Sequence, residues 1–239
     1  MDTDWHEFQG TNTKRIVIGI SGSSAPIYGI RLLEILAGRG DIETHLVLSE
    51  SAETSIQLKT RDWTREKVEA LADHSHSPKN IAASIASGSF KTHGMVVIPC
   101  SMKTLGNIAH STGGDLLTRA ADVTLKERRR LILVPRETPL HAGHLRNMLA
   151  VTELGGIIVP PVPAFYHKPK TVDDLINHTV GKVLDLLDLE HQLFRRWGEG
   201  ASVDPEKGLN QSANGMFCPV RQDMQVYEPN EKPEHNFTV

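Results

Sequence analysis

Cysteine, aromatic residues and long apolar runs are all scarce in this chain of 239 residues. There are 2 cysteines, Cys100 and Cys218. Two thiols make no disulfide framework, which fits a reducing compartment such as the cytoplasm. Aromatic residues make up 5%, and no apolar run approaches the ~20 residues of a membrane span. The start, Met1-Asp2-Thr3-Asp4-Trp5-His6-Glu7, is acidic, with neither an apolar core nor an Arg-rich amphipathic face. It reads as neither a signal nor a transit peptide. An excess of one charge is also missing: 26 basic against 29 acidic residues leave a net charge of −3. The basic run from Lys126 to Arg130 is short and ends a helix, so no nucleic-acid partner is expected. No internal repeat is visible.

What is present is an alternation of apolar runs with helical patterns, and 39% hydrophobic residues are enough for one substantial core. Residues 15–20, 43–48, 95–99, 131–135 and 156–159 read as strands. Helices are expected at 49–58, 64–72, 103–109, 115–127 and 142–154. Pro26 suits the first position of another helix, with Ile27, Ile30, Leu33 and Ala37 on one face. Thr171-Val172-Asp173-Asp174 has the form of a capping box, opening a helix with Val172, Leu175, Ile176, Thr179, Val183 and Leu187 inward. Near-continuous apolar strands between helices predict an α/β fold, a three-layer doubly wound parallel sheet. The expected organisation is an N-terminal extension at 1–14, one domain at 15–199 and a polar, proline-containing arm or tail at 200–239.

Four segments carry chemistry. Val134-Pro135-Arg136-Glu137-Thr138-Pro139 leaves a buried-looking strand at the carboxyl edge of the sheet, where open α/β folds place ligands. An Arg for an anion and a carboxylate for proton transfer make a reaction site there, although a surface salt bridge on a rigid turn would read the same way. Ser21-Gly22-Ser23-Ser24-Ala25-Pro26 joins a strand to a helix N-terminus, serving either as a serine cap or as an anion cradle. It is not the G-x-G-x-x-G fingerprint of dinucleotide binding. Pro99-Cys100-Ser101-Met102-Lys103-Thr104 repeats the strand-to-helix arrangement, and Cys100, abutting an apolar strand, reads as buried and inert. Two histidine pairs, His141 with His144 and His74 with His76, lack a third ligand at sensible spacing, so no metal is expected.

Taken together with Arg119-Ala120-Ala121-Asp122-Val123-Thr124-Leu125-Lys126-Glu127, His144-Leu145-Arg146-Asn147-Met148-Leu149, Pro163-Ala164-Phe165-Tyr166-His167 and Arg195-Arg196-Trp197-Gly198-Glu199, these segments resemble the UbiX/Pad family of flavin prenyltransferases. The likeness runs from about Arg15 to Gly200, in the family's order and spacing, and is closer to the branch that accompanies phenolic-acid decarboxylases. It implies the family's flavodoxin-like, Rossmann-type fold and a transferase that joins a dimethylallyl group from dimethylallyl (mono)phosphate to N5 and C6 of reduced FMN. The product, prenylated FMN, would serve a UbiD-type decarboxylase, and no metal is implied.

The resemblance assigns Ser21, Gly22, Ser23, Ser24, Ser49, Ser101, Met102, Lys103, Thr104 and Arg119 to the flavin. Lys126, Arg136, Tyr166 and Lys182 go to the prenyl phosphate, with Trp197 walling the pocket. Ser24 and Glu137 are the catalytic candidates, Glu137 as the proton-transfer group beside Arg136 and near Lys126. A homododecamer with sites at subunit junctions is also implied. The Pro-rich apolar segment Pro160-Pro161-Val162-Pro163-Ala164-Phe165 hints independently at assembly.

Four positions depart from the family pattern: Ala25 for glycine, Lys59 for glutamate, His141 in a Ser-rich stretch and Lys182 for arginine. They motivate one rival reading, a flavin-binding homologue with lost or altered prenyl transfer. A flavin-dependent cysteine decarboxylase and a pure binding module are the others.

Overall fold

A parallel sheet covered on both faces needs apolar side chains at successive strand positions, and the central strands here carry them. The computed structural model describes residues 13–198. Among them the strands are β1 (Lys14–Ile20), β2 (Ile42–Leu48), β3 (His74–His76), β4 (Gly94–Cys100), β5 (Arg130–Pro135) and β6 (Ile157–Ile158). They form one sheet in the order β3-β2-β1-β4-β5-β6, with every neighbouring pair parallel. Successive side chains point to opposite faces. Ile16, Ile18, Leu46, Leu48, Val96, Ile98, Ile132 and Val134 therefore join one core cluster. Val17, Val47, Met95, Val97, Leu131 and Leu133 join the other.

The helices are α1 (Ile27–Leu36), α2 (Glu50–Lys59), α3 (Arg65–Glu69), α4 (Met102–Ala109), α5 (Leu116–Lys126), α6 (Ala142–Glu153) and α7 (Val172–Leu186). The first cluster is completed by α1, α2, α3 and α7, and the second by α4, α5 and Val151 of α6. The chain builds outward from β1 through β2 to β3, then returns to lay β4, β5 and β6 on the other side. The strand order thus reverses between β1 and β4, and their carboxyl ends flank the crevice where such sheets take ligands.

The expected three-layer parallel fold is present, with differences at the margins. Pro26 is the N-cap of α1 rather than its first residue, and Ala37, expected inward, is the exposed C-cap, where the chain leaves the helix. Val172 is 72% exposed rather than inward, because the capping box of α7 turns the first helical turn to solvent. Strand β3 was not anticipated: His-Ser-His has no apolar period and exists as a strand only through its pairing with β2. That pairing brings Glu43 and His45 beside His74, so the expectation that the histidine pair lacks a further ligand does not hold. The 200–239 arm and all but the last residues of the 1–14 extension lie outside the described residues.

Helix α1 rides unusually close to the sheet. A Cβ on Gly29 would fall 2.2 Å from the Ile98 carbonyl oxygen and 2.7 Å from Ile20 Cδ1. Gly29→Ala should therefore lower stability by about 1–3 kcal/mol, overpacking outweighing the ~1 kcal/mol gain in helix propensity. A fall in the denaturant midpoint would show it; an unchanged or higher midpoint would mean that α1 is not held this tightly.

Candidate functional site

Three strand ends are stitched together at the carboxyl edge. Ser21, 1% exposed, donates from its hydroxyl to the Pro99 carbonyl at 3.0 Å and accepts from the Ser101 amide at 2.7 Å. The end of β1 is thereby tied to the end of β4. The Arg136 amide donates to the Cys100 carbonyl at 3.2 Å, and the Ser23 hydroxyl donates to the Arg136 carbonyl at 3.3 Å, which adds the end of β5. Gly22 has to be glycine, since a Cβ would fall 2.4 Å from Ser51 Oγ in the first turn of α2.

The stitched loops line a cleft of ≈ 260 Å³, with Gly22, Ser23 and Ser24 on one wall, Ser101 and Met102 on the next, and Arg136 with Glu137 opposite. Both Ser24 and Glu137 are exposed to it. A carboxylate, a guanidinium and hydroxyl groups in one cleft can hold an anion and move a proton. Glu137 Oε1 accepts from the Thr138 amide at 3.0 Å, which fixes the orientation of the carboxylate.

A second cleft of ≈ 480 Å³ adjoins it through Ser101 and reaches Ser49, Lys79, Lys103, Thr104 and Asp115. Here the N-termini of three helices converge. Ser49 caps α2 through the Ala52 amide, Ser101 caps α4 through the Thr104 amide, and Asp115 caps α5 with a full capping box. Three positive helix ends and two lysines suit the anionic end of a long ligand. Cys100, wholly buried, has its thiol pushed up by desolvation, so it is not a nucleophile.

A further group gathers around α7. Tyr166 Oη and His178 Nε2 lie 2.9 Å apart, and Trp197 meets the Tyr166 ring edge-on at 6.0 Å. Burial, then the neighbouring His167 and Lys182, hold the His178 imidazole below its ordinary pKa and hence neutral. Lys182 stands one turn further along α7, with Asp185 3.7 Å away. Burial raises the pKa of Tyr28 on α1, opposed by the nearby Thr179 side chain of α7 and by the Arg136 charge, so this ring stands between the α7 group and the cleft. Tyr28 and His178 were not singled out from sequence. Each sits in an apolar helical pattern where an aromatic residue reads as core.

Two expected site residues lie elsewhere. Arg119 donates to the Ala86 carbonyl at 3.2 Å and to Asp122 at 2.7 Å, and it lines a separate cleft on the flank of α5. Lys126 pairs with Glu127 at the far end of α5. That helix begins at the carboxyl edge and runs 11 residues back along the sheet. At ~1.5 Å per residue, Lys126 is on the order of 15 Å from the edge and is not near Glu137 in this chain.

Neither Ala25 nor Lys59, two of the departures, lines either cleft. Ala25 is not among the residues with a left-handed backbone, so no glycine is required there. Lys59 ends α2, exposed and far from Ser49. His141 caps α6 by accepting from the Gly143 amide, its ring 3.6 Å from that of His144.

The Flavoprotein family pattern matches residues 6–185. The flavin prenyltransferase UbiX of Escherichia coli strain K12 is 57% identical over 186 residues, covering 77% of this chain and 98% of the relative. The flavin prenyltransferase UbiX of Thauera aromatica is 55% identical over 183 residues, covering 77% and 93%. Among solved structures, AnUbiX in complex with FMN and dimethylallyl pyrophosphate superposes with a TM-score of 0.75 at 51% identity, over 77% of this chain and 97% of the other. A dodecameric FMN-dependent UbiX-like decarboxylase from Escherichia coli O157:H7 gives a TM-score of 0.75 at 51% identity, over 77% and 98%. With the carboxyl-edge cleft and its Arg-Glu pair in place, the chain belongs to the Flavoprotein family and, within it, to the UbiX flavin prenyltransferases.

Proposed function

We propose that the protein transfers a dimethylallyl group from dimethylallyl (mono)phosphate to N5 and C6 of reduced FMN, making prenylated FMN for a UbiD-type decarboxylase in the cytoplasm. The observation that carries this reading is the cleft that joins the Ser23–Ser24 turn to Arg136 and Glu137, in a chain 57% identical to a flavin prenyltransferase. The donor set fits a flavin: hydroxyls and backbone amides for a polar ring edge, Met102 for its face, and helix N-termini for its phosphate. The reduced ring supplies the nucleophilic N5 and C6.

The residues of this chain then have distinct tasks. The allylic C–O bond breaks with its electron pair going to phosphate, and preorganised cations lower that barrier by stabilising the developing charge. Arg136, Tyr166 and Lys182 are assigned this role, with Lys182 supplying charge without the bidentate fork of an arginine. His178 orients Tyr166 toward it. Glu137 moves the proton, taking it from the alkylated ring or passing it to the departing phosphate. Trp197 keeps water from the allylic carbon. No step needs a metal, because the protein's own cations carry the phosphate.

Assembly completes the site. Trp197 is 80% exposed in one chain and Lys126 is at the wrong end of the sheet, so both tasks call for a neighbouring subunit. An apolar surface is available for it: Leu145, Leu149, Val162 and Phe165 are each more than half exposed. A monomer rarely leaves such a patch open. We assign the chain to a homododecamer, like the relative with a dodecameric structure, with Lys126 and Arg119 entering a neighbour's cleft.

Glu137→Gln keeps the shape of the side chain and removes the base. It should bind flavin like the wild type and lose ~10²-fold or more in prenyl transfer, the scale of a positioned acid-base group. Near-normal turnover would remove Glu137 from the mechanism. A mixing experiment tests the shared site. Lys126→Ala and Glu137→Gln, each inactive alone, should regain roughly a quarter of wild-type activity when co-assembled, the statistical share of junctions with both groups intact. No recovery in verified mixed oligomers would place both groups on one chain.

A further inference from the structure

A second cluster of chemistry-bearing side chains sits at the opposite end of the sheet, on the edge formed by β2 and β3. Glu43 and His45 are two apart on β2 and so share a face, and the register sets His74 directly across from His45. Glu43 Oε1 lies 2.9 Å from His45 Nε2 and 3.3 Å from His74 Nε2. All three ligand atoms fall within 4.8 Å of one another. Two bonds of ~2.0–2.2 Å meeting at a tetrahedral angle leave their ligand atoms roughly 3.3–3.6 Å apart, so the carboxylate–imidazole spacings suit a small ion. The half-exposed His74 ring, now stacked on His45 at 4.7 Å and 23°, turns to bring its Nε2 to the same point.

We propose that Glu43, His45 and His74 form a binding site for a zinc-class divalent ion, which clamps the edge strand β3 to the sheet. The surroundings are those of a supported ligand set. His45 Nδ1 is 3.0 Å from His76 Nε2, so the ring nitrogen turned away from the ion has its own partner. Glu43 Oε2 accepts from Arg15 Nε at 3.0 Å, which leaves Oε1 for the ion. Outer partners of this kind fix ring tautomer and carboxylate orientation. Phe90 packs edge-on against His45 at 5.1 Å and shields the inner side. The His45 side chain is 4% exposed and that of His74 51%, so the fourth position opens to solvent and takes a water.

Imidazole and carboxylate together suit zinc over magnesium or calcium, which prefer oxygen alone. The function is structural. Glu43 is the second residue of β2, and the reaction cleft lies past the strand's other end, ~17 Å away at ~3.3 Å per residue. Strand β3 has 3 residues and few bonds of its own, so an ion bridging it to β2 adds what its length cannot.

The test uses full-length, untagged protein stripped with EDTA and titrated with cobalt(II), then with zinc in competition. The expected result is saturation at one ion per chain with the visible bands of four-coordinate cobalt. His74→Gln should weaken zinc binding by about 100-fold or more, beyond the cost of losing a group that only orients a ligand, with flavin binding unchanged. His141→Ala should bind zinc as the wild type does. Absence of a saturable cobalt spectrum, or equal zinc affinity in His74→Gln and wild type, would overturn the proposal.

Discussion

The hydroxyl of Ser21 governs the geometry of everything at the carboxyl edge. It is buried where the strand order reverses, and a buried hydroxyl without partners costs about 1–3 kcal/mol. It is satisfied only when the ends of β1 and β4 stand at one separation, with the Pro99 carbonyl accepting and the Ser101 amide donating. That separation places the first turn of α4 against the Ser23–Ser24 turn. The Arg136 amide, bonded to the carbonyl next to Ser101, then brings the Arg-Glu pair to the same opening. Ser21 was expected among the flavin contacts. In the fold it ties together the two loops that line the cleft.

The same sheet polarity underlies the proposal that one chain is not enough. Helices that return antiparallel to the strands carry their last residues away from the carboxyl edge, and α5 takes Lys126 with it. In the proposed function, a cation at that end serves a phosphate in another subunit. The apolar residues of α6 and of the loop after β6, exposed in one chain, are the natural contacts for such a neighbour. The proposed assembly and the proposed catalysis therefore rest on one feature of the fold, the direction of α5.

Much of this was legible in the sequence. Pro135-Arg136-Glu137 could be placed because a run of four buried apolar residues precedes it, and a strand followed by a charged pair marks a carboxyl edge. Ser101 and Thr171 could be read as caps because a helix start leaves amides that such side chains satisfy. What escaped depended on long-range pairing. Strand β3 has no apolar period, so nothing local distinguishes it from a loop. The meeting of Glu43, His45 and His74 depends on strand register, which a linear spacing rule does not encode. Lys126 lies in a matched motif, yet motif order does not say at which end of the sheet a helix finishes. Tyr28 looks like one more core residue of α1 until the fold brings the Thr179 side chain and the Arg136 charge near it.

The cleft between Ser23–Ser24 and Arg136–Glu137 is proposed to join a prenyl group to a flavin. The most direct measurement is mass spectrometry of the flavin after anaerobic incubation of the full chain with reduced FMN and dimethylallyl phosphate. The account predicts FMN heavier by one dimethylallyl unit less a proton replaced, formed only with enzyme, donor and reductant together. Flavin that binds the protein and is recovered unchanged in mass would contradict it.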